Sequence, residues 1–370
     1  MKPITLDGRS LNRAQLAEVA LGAPVRLDPA QMPAVQRAAD FLAEQVRRQE
    51  PIYGVSTGFG SNADKLLGAH RLRTGLPGAS ESSDSVLEEL QHNLIITHAV
   101  CVGEPFPADV VRAMMAIRIN TLMRGHSGIR PSVLEAMAAL LNAGVVPVVP
   151  RKGSVGASGD LAPLSHLAIV LLGGGEAFYD GERIPGAEAL QRAGLAPVKL
   201  SHKEGLALNN GTAQMLATAV LAIERLEELL DTADLAAAMT LDAFAGRLRA
   251  FDPHVHALRP HPGQVHVAAN LRRLLDGSSL SDIAYHLVPR FRQWQPESWA
   301  TPEQQALGFD IGWDWVPFNQ RHGRERFYQR FRPFRGGKKH QPQDSYSLRC
   351  IPQVHGAVRD ALEQAKRVFD

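Results

Sequence analysis

The amino-acid sequence predicts a mainly α fold, a bundle of long helices with a small mixed part towards the N-terminus. Apolar residues recur at helical spacing through most of the chain up to about residue 276. The run from Thr212 to Ala245 contains neither glycine nor proline. The clearest strand signal is a short hairpin around Asp180-Gly181, between 177–179 and 183–184. These three observations favour helix-on-helix packing with little sheet.

Amphipathic helices are predicted in the first half of the chain. The segment 31–47 carries an apolar face formed by Met32, Val35, Ala38 and Leu42. The segment 85–99 carries a similar face formed by Val86, Leu90, Leu94 and Ile95. The segments 107–124 and 130–144 form a further helical pair, joined by Gly125-His126-Ser127-Gly128.

The longest predicted helix covers 212–245. It is rich in alanine, and its apolar positions include Leu216, Val220, Ile223, Leu226 and Leu230. At about 1.5 Å per residue it would be on the order of 50 Å long. A rod of this length packs in a bundle or at an oligomer interface. Helical patterning returns at 354–368.

The composition favours an ordinary globular protein. Hydrophobic residues make up 45% and charged residues 21% of the 370 positions, and the net charge is +2. Two cysteines, Cys101 and Cys350, make no disulfide framework. The N-terminus has no apolar signal core, and we expect no run long enough to span a bilayer. These features predict a cytoplasmic protein without a membrane partner.

A glycine-rich loop covers 153–164 and includes Ala157-Ser158-Gly159. Glycine permits tight backbone approaches, which one reaction requires: attack of the Gly159 nitrogen on the Ala157 carbonyl carbon. Loss of water would then convert Ser158 into a methylidene group, an electrophile made from the chain itself. A phosphate-binding loop is the alternative, but the segment lacks the lysine and the preceding strand of such loops.

The string Gly-Ser-Val-Gly-Ala-Ser-Gly-Asp-Leu-Ala-Pro-Leu-Ser-His, residues 153–166, resembles the cofactor-forming loop of the aromatic amino-acid ammonia-lyases and aminomutases. The resemblance implies a 4-methylidene-imidazol-5-one cofactor formed from Ala157, Ser158 and Gly159. It also implies an ammonia-lyase/fumarase-like helical architecture. No metal is implied.

Two further stretches of the first half resemble parts of the same family. Tyr53-Gly54-Val55-Ser56-Thr57-Gly58-Phe59-Gly60 resembles the tyrosine loop, in which Tyr53 would be the base for the β-proton. Without that resemblance it would be a flexible surface loop. Asn210-Gly211-Thr212 resembles the motif that holds the cofactor and the substrate amine through Asn210. Alternatively, Asn210 or Thr212 simply caps the long helix.

His98 lies on the helix that resembles the family's selectivity helix. Thr97-His98 stands where histidine-specific members carry Ser-His, so His98 would bind the substrate imidazole. Cys101 replaces a glycine that is usual in the family. Taken alone, a helical histidine is more often structural.

A second signature covers 343–356. Its resemblance to the family implies that Arg349 clamps the substrate carboxylate, with Gln343 and Tyr346 beside it. A guanidinium suits this role because its fork matches two carboxylate oxygens. Taken alone, Arg349 would be a surface ion-pair residue.

Four histidines also suggest a metal site, but their spacing fits no standard zinc pattern: His254, His256, His261 and His266.

The activity implied is elimination of ammonia from a small amino-acid substrate, L-histidine, to give urocanate. A tyrosine or phenylalanine lyase or aminomutase is one alternative, against which Thr97-His98 argues. An inactive relative with a structural or interaction role is another. The family forms tetramers, so we expect a homo-oligomer.

The resemblance divides the chain into four segments: a cofactor-loop domain (1–211), a long-helix segment (212–282), an insert (283–340), and a carboxylate loop with a final helix (341–370). The insert is basic and aromatic, and we expect it to be poorly ordered. A nucleic-acid patch is the alternative, but no RNA-binding motif accompanies it. Family members continue beyond the position of Asp370 into a helical half that supplies further site residues, which leaves open how this chain completes its site.

Overall fold

The structure is a computed structural model that describes residues 2–48, 50–60, 83–244, 246–278, 281, 334–335, 338–339 and 343–369. The chain divides into two compact units. The first comprises Met1–Glu224 with Phe369–Asp370, and the second comprises Arg225–Val368. The predicted four-segment division stays a prediction.

The first unit is mainly helical, as the sequence predicts. Its helices are α1 (Arg13–Ala20), α2 (Met32–Arg47), α3 (Ser83–His98), α4 (Ala108–Leu122), α5 (Pro131–Asn142), α6 (Ala162–Leu171), α7 (Gly186–Arg192), α8 (Glu204–Asn209) and the first part of α9 (Ala213–Ala243). The mainly α class and the helices predicted in this unit are confirmed.

The core of the first unit is built around α4. Ten of its 15 residues are buried, including the adjacent Met114 and Met115. Burying one such side chain stabilises the fold by about 1.5–3 kcal/mol. Buried residues of α1, α5, α6 and α9 join the same apolar cluster, for example Leu16, Leu134 and Val220. Because most of its residues are buried, α4 lies inside its neighbours.

The strands of the first unit are short. They are β1 (Ile4–Leu6), β2 (Val25–Leu27), β3 (Val102–Pro105), β4 (Val146–Pro147), β5 (Pro150–Lys152), β6 (Glu176–Tyr179) and β7 (Glu182–Pro185). β1 and β2 are parallel, β3 pairs antiparallel with β5, and β4, β6 and β7 form an antiparallel sheet.

The predicted hairpin is confirmed between β6 and β7. Asp180 and Gly181 at its turn both have positive φ, 49° and 82°. A two-residue turn of this kind matches the twist of the flanking strands. The other strands have two to four residues, too few to show an alternating pattern in the sequence.

The long helix α9 contains 31 residues, which corresponds to about 46 Å. By length and hydropathy alone, Glu204–Ala243 would qualify as a membrane span, contrary to the expectation from the sequence. However, 44% of its most apolar window is buried inside the protein. Because core helices pass the same test, this feature does not identify a membrane protein.

The second unit contains the rest of α9, a 3-10 helix (Leu248–Phe251), α10 (Pro253–Ala257), α11 (Pro262–Leu274), β8 (Phe334–Arg335), β9 (Lys338–Lys339), α12 (Tyr346–Arg349) and α13 (Ile351–Phe369). Its apolar cluster includes Leu241, Phe251 and Leu271. The fully buried Asp234 accepts hydrogen bonds from Asn270, His355 and Arg359, and so joins α9 to α11 and α13.

Most of the basic and aromatic segment 283–340 lies outside the described residues. Its described part is the pair β8 and β9, which run antiparallel. The predicted poor order of this segment and its nucleic-acid alternative therefore stay predictions. The helix predicted at 354–368 is confirmed within α13.

Candidate active site

The glycine-rich loop places the backbone of Gly159 directly against Asn210. Gly159 is buried and has a φ of 127°, which residues other than glycine rarely adopt. A Cβ added there would overlap Asn210 Oδ1 and would lie 2.9 Å from Gly211 N. Ala157 and Ser158 are exposed. The structure thus brings Gly159, whose nitrogen is proposed to attack, next to the asparagine that is proposed to hold the product.

Asp160, the next residue, fixes the loop to the start of α9. Its side chain is buried, and one carboxylate oxygen accepts from Ser154 Oγ at 2.7 Å. The other accepts from the backbone nitrogens of Gln214 (2.7 Å) and Met215 (3.2 Å). Its own backbone N–H donates to the Gly211 carbonyl at 2.6 Å. A carboxylate at this helix N-terminus satisfies otherwise unpaired N–H groups and interacts favourably with the helix dipole.

Arg118 on α4 lies behind the Asn210-Gly211 turn. Its Nε donates to the Ala207 carbonyl at 2.9 Å, and a Cβ on Gly211 would overlap its guanidinium. Burial lowers the pKa of Arg118 to about 10, and the negative charge of Asp160 opposes that shift. The buried positive charge therefore has a buried counter-charge on the other side of the turn. Neither Arg118 nor Asp160 was assigned a role from the sequence, although Asp160 belongs to the motif.

The Tyr53 loop is a compact turn. The Ile52 carbonyl accepts from the backbone nitrogens of Val55, Ser56 and Thr57. The Tyr53 side chain is 54% exposed, and its ring packs edge-on against Phe59 with centroids 6.0 Å apart. Its hydroxyl accepts from Gly60 N at 3.2 Å. The turn therefore presents the hydroxyl at the surface of the unit.

His98 lies at the C-terminal end of α3 and is half-buried. Its Nδ1 is 2.8 Å from the Leu94 carbonyl oxygen. Because a carbonyl can only accept, Nδ1 carries the proton in this contact. In the neutral ring, Nε2 then presents a lone pair, which can accept an N–H from a ligand. Within the described ranges, neither His98 nor Tyr53 hydrogen-bonds to the 153–160 loop.

Three proposed site residues lie in the second unit: Gln343, Tyr346 and Arg349. The Arg349 guanidinium lies 4.5 Å from the centre of the Tyr346 ring, and its Nε donates to the Asp344 carbonyl at 2.9 Å. Tyr346 is 72% exposed and Gln343 is also exposed. The structure therefore brings Tyr346 and Arg349 together.

Two of the four histidines in the 254–266 stretch, His254 and His256, have described hydrogen-bond partners. His254 bonds to Asp252, and the buried His256 contacts the Ala250 carbonyl and Gln264. Among the described residues, no group of three or more His, Cys, Asp or Glu side chains is arranged to hold a metal.

A family model for aromatic amino acid lyases matches residues 11–370. The chain belongs to the aromatic amino acid lyase family. The histidine ammonia-lyase of Gloeobacter violaceus is 43% identical over 367 residues, covering 99% of this chain and 58% of that relative. The histidine ammonia-lyase of Symbiobacterium thermophilum is 42% identical over 349 residues, covering 94% and 55%.

Solved structures of the family share the fold. The phenylalanine aminomutase of Pantoea agglomerans has a TM-score of 0.74 at 30% identity, with 100% of this chain and 61% of that chain covered. The histidine ammonia-lyase of Trypanosoma cruzi has a TM-score of 0.70 at 29% identity, with 99% and 55% covered. This lyase-family chain thus spans between about half and three fifths of the length of these relatives.

Proposed function

We propose that this chain carries out, or contributes its part of, the elimination of ammonia from L-histidine to give urocanate. The observation that carries the proposal is the close approach of Gly159 to Asn210 within a loop of the ammonia-lyase pattern. Sequence identity of 42–43% to curated histidine ammonia-lyases supports the substrate class.

The loop fits a 4-methylidene-imidazol-5-one formed from Ala157, Ser158 and Gly159. Gly159 has no side chain to obstruct the turn, and Asn210 Oδ1 lies against it. When formed, the group supplies an electrophile that assists departure of the substrate nitrogen. We propose that Asn210 holds both this group and the substrate amine.

The other site residues would bind and orient the substrate. Arg349 would hold the carboxylate through its guanidinium fork, with Gln343 and Tyr346 beside it. His98 would accept an N–H of the substrate imidazole at Nε2. Tyr53, in its deprotonated form, would take the β-proton on its phenolate oxygen. Binding the substrate in a fixed orientation before the β-proton is removed lowers the entropic barrier of the reaction.

The proposal includes a homo-oligomeric, tetrameric assembly in the cytoplasm. The chain spans 58% and 55% of the length of the two curated relatives. An inactive relative with a structural role is the competing hypothesis.

The direct test is urocanate formation by the purified 370-residue chain, followed by absorbance, with Ser158→Ala as the matched control. We expect the parent to be two water molecules lighter than its sequence by intact mass and to form urocanate. Ser158→Ala should have the unmodified mass, no activity and unchanged helical circular dichroism. A parent with the unmodified mass would favour the inactive relative.

An aminomutase is the second candidate, because two aminomutase structures match this chain with a TM-score of 0.74 at 30% and 33% identity. Incubation with L-tyrosine and L-phenylalanine, followed by chromatography for β-amino acids, separates the candidates. Urocanate from L-histidine without β-amino acids supports the lyase.

A further inference from the structure

Gln91 connects three segments that carry proposed site residues. It lies on α3, two turns before His98, and its side chain is fully buried. Its Nε2 donates to the Gly54 carbonyl at 3.3 Å, next to Tyr53. Its Oε1 accepts from Gly205 N at 3.1 Å, on α8, which ends directly before Asn210.

The packing around Gln91 is tight on the α8 side. A Cβ on Gly205 would lie 2.7 Å from the Gln91 carbonyl oxygen and 3.1 Å from its Oε1. The backbones of α3 and α8 therefore approach closely, and glycine is required at position 205. A buried amide with both ends bonded is costly to replace by an apolar side chain, because its partners lose their hydrogen bonds.

On the loop side, Gln91 joins the turn formed by residues 52–60 to helix α3. Among the described residues, several hydrogen bonds of the turn join residues 50–60 to one another, for example those from Val55, Ser56 and Thr57 to the Ile52 carbonyl. These local bonds shape the turn but do not attach it to a helix. The bond from Gln91 does so, at the residue next to the proposed base.

We propose that Gln91 is a positioning residue that holds the Tyr53 loop against α3 and α8, and thereby fixes Tyr53 relative to His98 and Asn210. This inference rests on the proposed function. Gln91 touches neither the substrate nor the cofactor in this scheme. Its effect is on the alignment of the base, which is a property of the catalytic step rather than of substrate binding.

The test uses Gln91→Met, which keeps the length of the side chain and removes both bonds. Asn142→Leu is the matched control, since Asn142 likewise donates to and accepts from one backbone position, Val25, away from the proposed site residues. Both variants lose two amide bonds, but Asn142 is exposed and Gln91 is buried, so kcat is measured well below the thermal midpoint of each variant.

We expect Gln91→Met to lower kcat by about 10- to 100-fold, because small misplacements of a catalytic group slow the reaction strongly. Each kcat is calculated per mole of chain that carries the cofactor, as counted by intact mass. The KM of Gln91→Met for histidine should change little, since Arg349 and His98 are untouched. Asn142→Leu should retain the parent kcat. An equal loss of kcat in both variants, or an unchanged kcat in Gln91→Met, would overturn the proposal.

Hydrogen exchange separates this inference from the proposed function. In Gln91→Met the amides of Val55, Ser56 and Thr57 should exchange faster than in the parent, and in Asn142→Leu they should not. If the parent forms no urocanate, the proposed function fails, and faster exchange still supports the anchoring of the loop. Unchanged exchange in Gln91→Met refutes the anchoring, whatever the activity.

Discussion

The two units hold their proposed site residues in different ways. In the first unit, Gly159 and Asn210 are placed by buried polar side chains that reach across the sequence, such as Asp160 to Gln214 and Met215. In the second unit, Arg349 is held by residues within five positions, Asp344 and Tyr346. The proposed chemistry is therefore built on tertiary structure, and the proposed carboxylate clamp on local structure.

This difference predicts different consequences of substitution. A change beside Gly159 disturbs the backbone of the residues proposed to react and the start of α9 together. A change at Arg349 alters a half-exposed side chain on a four-residue helix and leaves the core of its unit intact. The first should affect formation of the cofactor, and the second should affect substrate binding.

The largest effect is expected from Gly159→Ala. A methyl group there overlaps Asn210 Oδ1, and the φ of 127° is unfavourable for alanine. The backbone term alone costs about 1–3 kcal/mol. We expect the intact mass to stay unmodified and activity to be undetectable.

The matched control is Gly181→Ala in the β6–β7 hairpin. Gly181 also has a positive φ, 82°, but a Cβ there meets nothing within 4 Å. It should lower stability and leave the cofactor mass and activity intact. If Gly159→Ala forms the cofactor as Gly181→Ala does, the close approach to Asn210 has no role in the chemistry.

The sequence alone predicts those parts of the fold whose signal lies within a short stretch of the chain. The absence of glycine and proline from 212–245 predicts α9, and Asp180-Gly181 predicts the turn between β6 and β7. Each prediction depends only on residues that are close together in the sequence. The motif around Ala157-Ser158-Gly159 likewise identified the loop through its resemblance to the family. The assigned roles of the individual site residues remain proposals.

The supporting residues could not be predicted in the same way. Gln91 bonds to Gly54 and Gly205, which are 37 and 114 positions away. Arg118 reaches Ala207 across 89 positions. No periodicity or short motif encodes such partners, because they depend on how the helices pack. A polar residue on the buried face of a predicted helix is the signal that would have drawn attention to Gln91 and Arg118.

An intermediate effect is expected from Arg349→Gln, which removes the charge and the fork. Hydrogen bonds to a charged group are worth about 1.5–3 kcal/mol, so KM for histidine should rise by roughly 10- to 100-fold. The cofactor mass and the thermal midpoint should match those of the parent. Arg349→Lys should recover only part of the loss, because an ammonium cannot bind both carboxylate oxygens in the same geometry. A fall in kcat without a rise in KM would show that Arg349 does not bind the substrate carboxylate.

The smallest effect concerns His166 on α6, in the first unit. Burial lowers the pKa of His166, and its neutral Nε2 accepts from Cys101 N at 3.0 Å. The unfolded chain binds a proton at this residue near pH 6.5, whereas the folded chain binds it only at lower pH. The unfolded state therefore holds more protons in that interval, and His166 makes the free energy of unfolding fall as the pH drops below about 6.5.

We expect urea denaturation between pH 7.5 and 5.5 to show a weaker loss of stability in His166→Gln than in the parent, since glutamine keeps an acceptor for Cys101 N and does not titrate. His254→Gln in the second unit is the control, because the His254 side chain is 95% exposed, whereas His166 is partly buried. An identical acid slope in the parent and His166→Gln would show that the buried ring does not couple protonation to folding. If His254→Gln altered the pH dependence of the free energy of unfolding more than His166→Gln did, the comparison of the two units would be wrong. An exposed local contact would then contribute more to that dependence than a buried one.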